Sequence, residues 1–139
     1  RHDFSGPVLQ GSAAFEAGDT GLQVRALLEG QFLNMRLHSQ WMEVKTERIR
    51  LTGGASKNDG IAQLVADIFQ APVERLDVSN SAALGAALIA AAADGHDLPA
   101  LQEVFCQASP GSSLRPDPAL AGVYGDAIGR FQTLLNTSR

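Results

Sequence analysis

Leu51-Thr52-Gly53-Gly54-Ala55-Ser56-Lys57-Asn58 links a short apolar strand, carrying Ile49 and Leu51, to a strongly amphipathic helix that is expected to follow at once. That order predicts bare backbone N–H groups and a helix N-terminus at one point in space. Such a point attracts phosphate, because the first N–H groups of a helix lack partners and the helix dipole adds partial positive charge. The paired glycines suit the role. Without a Cβ they leave the backbone open to a ligand, and they take φ > 0 cheaply. The first expectation is therefore a nucleotide-binding turn.

Downstream, Ile61, Leu64, Val65, Ile68 and Phe69 recur at helical spacing and predict a helix over about 59–70, stopped by Pro72. Residues 73–78 read as a second strand. Ser79-Asn80-Ser81 offers caps for an alanine-rich helix over 82–93 that Gly95 ends. The Ala82, Gly85, Ala86 and Ile89 face of that helix predicts close backbone approach. Residues 96–116 read as irregular with one short helix near 99–106. A last helix spans about 117–136 and carries Leu120, Val123, Tyr124, Ala127, Ile128, Phe131, Leu134 and Leu135.

Upstream, residues 20–42 read as one long helix with two apolar stripes. Val24, Leu27, Leu28, Phe32, Met35 and Met42 form one; Ala26, Leu33, Leu37 and Trp41 form the other. Two stripes predict burial on two sides. Gly30 in the middle costs about 1 kcal/mol against Ala, which predicts a close packing contact there. Residues 1–20 read as loop, with an edge strand at Val8–Leu9. The alternation of helix and strand predicts an α/β fold with a parallel pair and a right-handed crossover. Two strands make a poor sheet, so residues 1–20 or something beyond the chain must complete it.

The 139 residues suit one domain, and 45% hydrophobic residues suffice for a core. A net charge of −4 without any Lys/Arg block argues against nucleic acid. No apolar run reaches membrane-spanning length. The one cysteine, Cys106, forms no internal disulfide and frames no zinc site, which fits a reducing cytoplasm. The chain opens at Arg1 in a loop-like Arg-His-Asp-Phe-Ser-Gly-Pro, the expected look of a fragment.

The glycine turn is not a P-loop, because no Gly-Lys-Ser/Thr closes it, and the Gly-x-Gly-x-x-Gly fingerprint is absent. A nucleotide would be held by backbone and shape. Asn58 has two readings, an amide for an adenine edge or ribose and an N-cap. Lys57 reads as solvated. Asp19-Thr20-Gly21 spells a protease triplet but reads better as a helix cap. Arg25 and Glu29 read as an i, i+4 ion pair, and His38 as a packed or surface histidine. The His2/Asp3 and His96/Asp97 pairs lie in loops. No spacing assembles a nucleophile, acid–base pair or metal set, so no catalytic or metal-binding residue is assigned in this chain.

Four ordered blocks then carry a resemblance: Val24 to Gly30, Ile49 to Asn58, Leu64 to Val73, and Ala82 to Leu88, with Pro118 to Phe131 as a tail. Together they resemble the carboxy-terminal domain of the FGGY carbohydrate kinases over about residues 20–135. Thr-Gly-Gly-Ala-Ser-x-Asn and Asp-Val-Ser-Asn-Ser-Ala look most like xylulose kinases. The resemblance implies an actin-like, ribonuclease H-like ATPase fold, with a core over 20–95 and a helical tail over 96–139. It implies ATP with Mg²⁺ as cofactors, Gly53 shaping the turn, Gly54 and Ala55 along the phosphate and ribose side, and Asn58 at the adenine. It implies a parent enzyme that phosphorylates a sugar, D-xylulose by the closest phrases. The amino-terminal domain, which in the family supplies the base and most sugar contacts, is absent here. The chain alone is expected to be inactive, cytoplasmic, and prone to dimerise, swap or aggregate through its uncovered stripe. The alternatives are a stand-alone module that binds nucleotide or a partner without chemistry, and a dehydrogenase domain with Asp77 as its acidic residue.

Overall fold

A computed structural model describes residues 18–78 and 80–137. The expected loop and edge strand over residues 1–17 and the cap at Ser79 lie outside the described residues. The elements in order are α1 (Thr20–Ser39), a 3-10 turn (Gln40–Met42), β1 (Ile49–Leu51), a second 3-10 turn (Gly54–Lys57) and α2 (Asp59–Phe69). There follow β2 (Val73–Arg75), α3 (Ser81–Ala93), α4 (Leu98–Phe105), a 3-10 turn (Pro118–Leu120) and α5 (Ala121–Thr137). The chain divides into two compact units, residues 46–117 and residues 1–45 with 118–139. Residues 96–117 thus fall in one unit with β1 and β2.

In the 46–117 unit, β1 and β2 pair in parallel, with Ile49 opposite Val73 and Leu51 opposite Arg75. The Ile49 N–H donates to the Pro72 carbonyl (2.8 Å) and the Leu76 N–H to the Leu51 carbonyl (2.9 Å). The second strand is shorter than expected, and residues 107–114 meet its other edge through isolated antiparallel bridges, Val73 to Leu114 and Leu76 to Ala108. Packed on this pair is α2, whose Ala62, Leu64, Val65, Ala66 and Ile68 are buried together with Ala71 and Val73. Each large apolar side chain among them contributes about 1.5–3 kcal/mol. Gln70, with φ of 50°, ends α2 in the left-handed conformation, and Pro72 prevents its continuation.

A polar clamp fastens residues 115–117 to α2. The buried Asp67 carboxylate accepts from Gln63 Nε2 (2.8 Å) and from the Asp117 N–H (2.8 Å), both at Oδ1. Gln63 also donates to the Arg115 carbonyl, and Gln70 to the Asp67 and Asp117 carbonyls. Buried polar groups need such partners, and this cluster supplies them from two turns of α2 and the backbone of residues 115–117.

In α3 the expected close-packing face is open. Ala82, Gly85, Ala86 and Ile89 are not buried, no atom lies within contact of a Cβ built on Gly85, and Leu88 is the buried residue. Small side chains permit close approach; they do not by themselves recruit a partner. Asn80 caps the helix by accepting from the Ala83 N–H (3.1 Å).

In the other unit, α1 packs on α5. Asp19 caps α1, accepting from the Leu22 N–H (3.1 Å), so the Asp-Thr-Gly triplet is a helix start. Leu33 on α1 and Tyr124 and Ile128 on α5 are buried. The expected burial of both α1 stripes is corrected: Val24, Leu27, Met35 and Trp41 are all exposed, and a Cβ on Gly30 meets nothing. The Arg25–Glu29 pair (2.7 Å) forms as expected, and the Tyr124 hydroxyl joins it, donating to Glu29 (3.0 Å) and accepting from Arg25 (2.9 Å). Burial pushes the Tyr124 hydroxyl pKa up, and the Glu29 hydrogen bond pushes Arg25 up.

Candidate functional site

The turn between β1 and α2 is built in two steps. Gly53 stands at φ 88° and ψ 179°, a conformation effectively reserved for glycine. Its carbonyl accepts from both the Ser56 hydroxyl (2.6 Å) and the Ser56 N–H (3.3 Å). Those bonds wind Gly54–Lys57 into a 3-10 turn, so the α-helix does not follow the glycines at once. It starts only at Asp59, after Asn58 closes the 3-10 turn by donating its N–H to the Ala55 carbonyl (3.1 Å). The expected single cluster of free N–H groups is thus divided between two starts, one at Gly54 and one at Asp59.

Gly53, Gly54, Ala55 and Asn58 all lie on this turn and are exposed, and Lys57 beside them is exposed too. A Cβ on Gly54 would meet no atom, so open space stands directly before the backbone there. Asn58 serves as the N-cap: its Oδ1 accepts from the Ile61 N–H (3.1 Å), and its carbonyl accepts from the Ala62 N–H (3.1 Å). The cap uses the amide oxygen and leaves the NH₂ group for another contact, so the two readings of Asn58 are compatible.

Two features of the turn escaped the sequence reading. The buried Ser56 hydroxyl is one, and its signal was a Ser three residues after the first glycine. The other is an ion pair between Asp59 Oδ1 and Arg75 Nη2 at 2.5 Å, which no local pattern announces across 16 positions.

His38 lies exposed in the last turn of α1, and Asp97 caps α4. Among the described residues no three His, Cys, Asp or Glu side chains gather to hold a metal, and no helix is long and apolar enough to cross a membrane. A shallow depression of about 570 Å³ lies against Arg48, Arg50, Glu74, Gln102 and Cys106, and it shares no lining residue with the glycine turn. The turn presents exposed backbone with open space before Gly54.

The family model for the C-terminal domain of the FGGY family of carbohydrate kinases matches residues 11–93. The xylulose kinase of Mus musculus is 34% identical over 139 residues, an alignment covering 96% of this chain and 24% of that protein. Among solved structures, the xylulose kinase from Rhodospirillum rubrum superposes with a TM-score of 0.68 at 30% identity, covering 97% of this chain and 27% of that one. The gluconate kinase from Lactobacillus acidophilus gives 0.68 at 28% identity, covering 83% and 24%. The chain therefore spans about a quarter of the length of the relatives it matches. The similar architecture makes this part of an actin-like ATPase fold. With the family model matched over more than half of its residues, the chain belongs to the FGGY family of carbohydrate kinases, in its C-terminal domain.

Proposed function

We propose that this chain is the nucleotide-binding portion of a longer ATP-dependent sugar kinase, and that the Gly53–Asn58 turn is one wall of its ATP site. The observation that carries the reading is the turn itself: a glycine-only conformation at Gly53, open space before Gly54, and an Asn58 amide with its NH₂ group unused by the cap. Bound ATP supplies the phosphoryl group. The chain's own residues bind and orient: Gly54 and Ala55 offer backbone to the phosphate and ribose side, and Asn58 offers its NH₂ to the adenine. Phosphoryl transfer rests on positioning and charge neutralisation from both sides of such a site. Mg²⁺ would arrive with the nucleotide and be completed by groups outside this chain.

The substrate we assign is D-xylulose, because relatives named xylulose kinase match in both sequence and structure. The exposed Val24, Leu27 and Met35 on α1 support completion of that unit by further polypeptide in the parent enzyme. The base and the main sugar contacts are assigned to that further polypeptide, so this chain alone should not turn over.

Calorimetric titration with MgADP tests the site. The chain should bind, and Asn58→Asp, which keeps the cap oxygen but removes the NH₂ group, should bind more weakly. A folded chain with equal affinity for both would sink the adenine assignment. ATP-dependent phosphorylation of D-xylulose by the 139-residue chain would overturn the assignment of the base elsewhere. Offering the whole gene product D-xylulose, D-gluconate and glycerol side by side tests the sugar.

A further inference from the structure

We propose that Arg75 is a positioning residue that clasps both ends of the nucleotide turn, an inference that rests on reading Gly53–Asn58 as the ATP wall. Arg75 ends β2 in register with Leu51, the last residue of β1. The next N–H, that of Leu76, donates to the Leu51 carbonyl (2.9 Å) and fixes where the chain enters the turn. The Arg75 guanidinium reaches Asp59, the first residue of α2, and fixes where the chain leaves it. Residues 52–58, which include every proposed nucleotide contact, thus form a loop whose two ends are tied to one residue and its neighbour.

The anchor is itself immobilised. On the opposite edge of β2, the Arg75 carbonyl accepts from the Ser109 N–H (2.7 Å) and from the Ser112 hydroxyl (3.3 Å). Its own N–H donates to Ser112 Oγ (3.1 Å). The guanidinium therefore springs from backbone held on both sides.

Stability alone gives a poor account of this arginine. The Asp59 side chain is 84% exposed and that of Arg75 21%. A pair open to water on one side contributes little, whereas a largely covered guanidinium loses hydration. Arg75 Nε is buried with no hydrogen-bond partner among the described residues, a further cost. An apolar side chain of similar length would serve the fold at least as well. What the guanidinium adds is a directional bond to the first residue of α2, and small displacements of a binding group are costly in affinity.

The test compares the chain (and the whole gene product where its reading frame extends further) with Arg75→Met, Asp59→Asn and the exchanged pair Arg75→Asp with Asp59→Arg. Amide hydrogen exchange of Ser56, Asn58, Ile61 and Ala62 is read without nucleotide, then melting temperature, then MgADP affinity. Arg75→Met should melt at or above the parent temperature, exchange those amides about tenfold faster and bind MgADP about tenfold more weakly. Asp59→Asn, a surface change that preserves folding, should reproduce the exchange and affinity losses, and the exchanged pair should recover part of both. Unchanged exchange in Arg75→Met and Asp59→Asn overturns the clasp, as does an affinity loss explained by a lowered melting temperature. If the unaltered chain fails to bind MgADP while its exchange still answers to Asp59→Asn, the clasp stands and the nucleotide reading falls. Binding that weakens in Asn58→Asp but ignores both clasp variants overturns the clasp and leaves the nucleotide reading in place.

Discussion

Replacing Asp67 with Ala should destabilise the 46–117 unit more than any surface change on α2. Its Oδ1 accepts two hydrogen bonds at 2.8 Å, from Gln63 and from the Asp117 N–H, and only 5% of the residue is exposed. A hydrogen bond to a charged group contributes about 1.5–3 kcal/mol net, and the two share one oxygen, so their sum is less than additive. Removing the carboxylate also relieves the desolvation of a buried charge, which offsets part of the loss; the expected cost is about 3 kcal/mol. Asp67→Asn keeps an acceptor at Oδ1 and converts charged bonds to neutral ones, which should cost about 1 kcal/mol. With a urea dependence of about 1.5–2 kcal/mol per molar, Ala should lower the unfolding midpoint by about 1.5–2 M and Asn by about 0.5 M. Far-ultraviolet circular dichroism during urea titration reads both. A midpoint for Ala within about 0.3 M of the parent, or an Asn variant as damaged as Ala, would refute the clamp as a stabilising element.

The two glycines of the turn should separate by function. Gly53→Ala forces a side chain into a glycine-only conformation and should cost about 1–3 kcal/mol in thermal or urea unfolding. Gly54→Ala meets open space and should leave the melting temperature unchanged while weakening MgADP in calorimetry; equal affinity would move the phosphate away from Gly54. Gly30→Ala, in a helix interior with no neighbour, should stabilise by about 1 kcal/mol, seen as a raised melting temperature. Tyr124 has its pKa raised by burial, so its folded state holds the phenol proton more tightly than the unfolded one. Its contribution should be intact below about pH 10 and decline as pH climbs past that value, and Tyr124→Phe should flatten this decline in melts recorded from about pH 8 to 11.

What could be read from sequence was local. The caps at Asp19, Asn58 and Asn80 each bond an N–H three residues on, so a short window contains both partners. The apolar stripe of α2 and the parallel strand pair follow from periodicity and order. The turn was legible to the same depth: the strand and the glycines are where they were expected and Gly53 takes the positive φ that its chemistry allows, but a 3-10 turn delays the capped helix to Asp59. The side-chain contacts that hold each unit together were not legible, because they join distant positions. Arg75 meets Asp59 across 16 residues, Asp67 meets the Asp117 N–H across 50, and Tyr124 meets Glu29 across 95. The stripes on α1 and α3 misled in another way. Apolar periodicity reports a face suited to burial, and Leu27 and Ile89 show that the covering surface is not thereby supplied.

The antiparallel run of residues 107–114 along β2 has a consequence for how the sheet can grow. It occupies the outward donors and acceptors of Val73 and Arg75, and even Asp77 donates its N–H to the Gln107 carbonyl. That side is sealed. On β1, Ile49 and Leu51 spend their backbone groups on β2, and alternation along a strand turns those of Arg50 the other way. The ribbon therefore has a polarity. A further strand pairing directly with this ribbon would join beside β1, since the outward groups of β2 are taken. Exposed edges invite pairing with foreign chains. With β2 covered by the 107–114 segment, the open edge of the strand pair is the one beside β1.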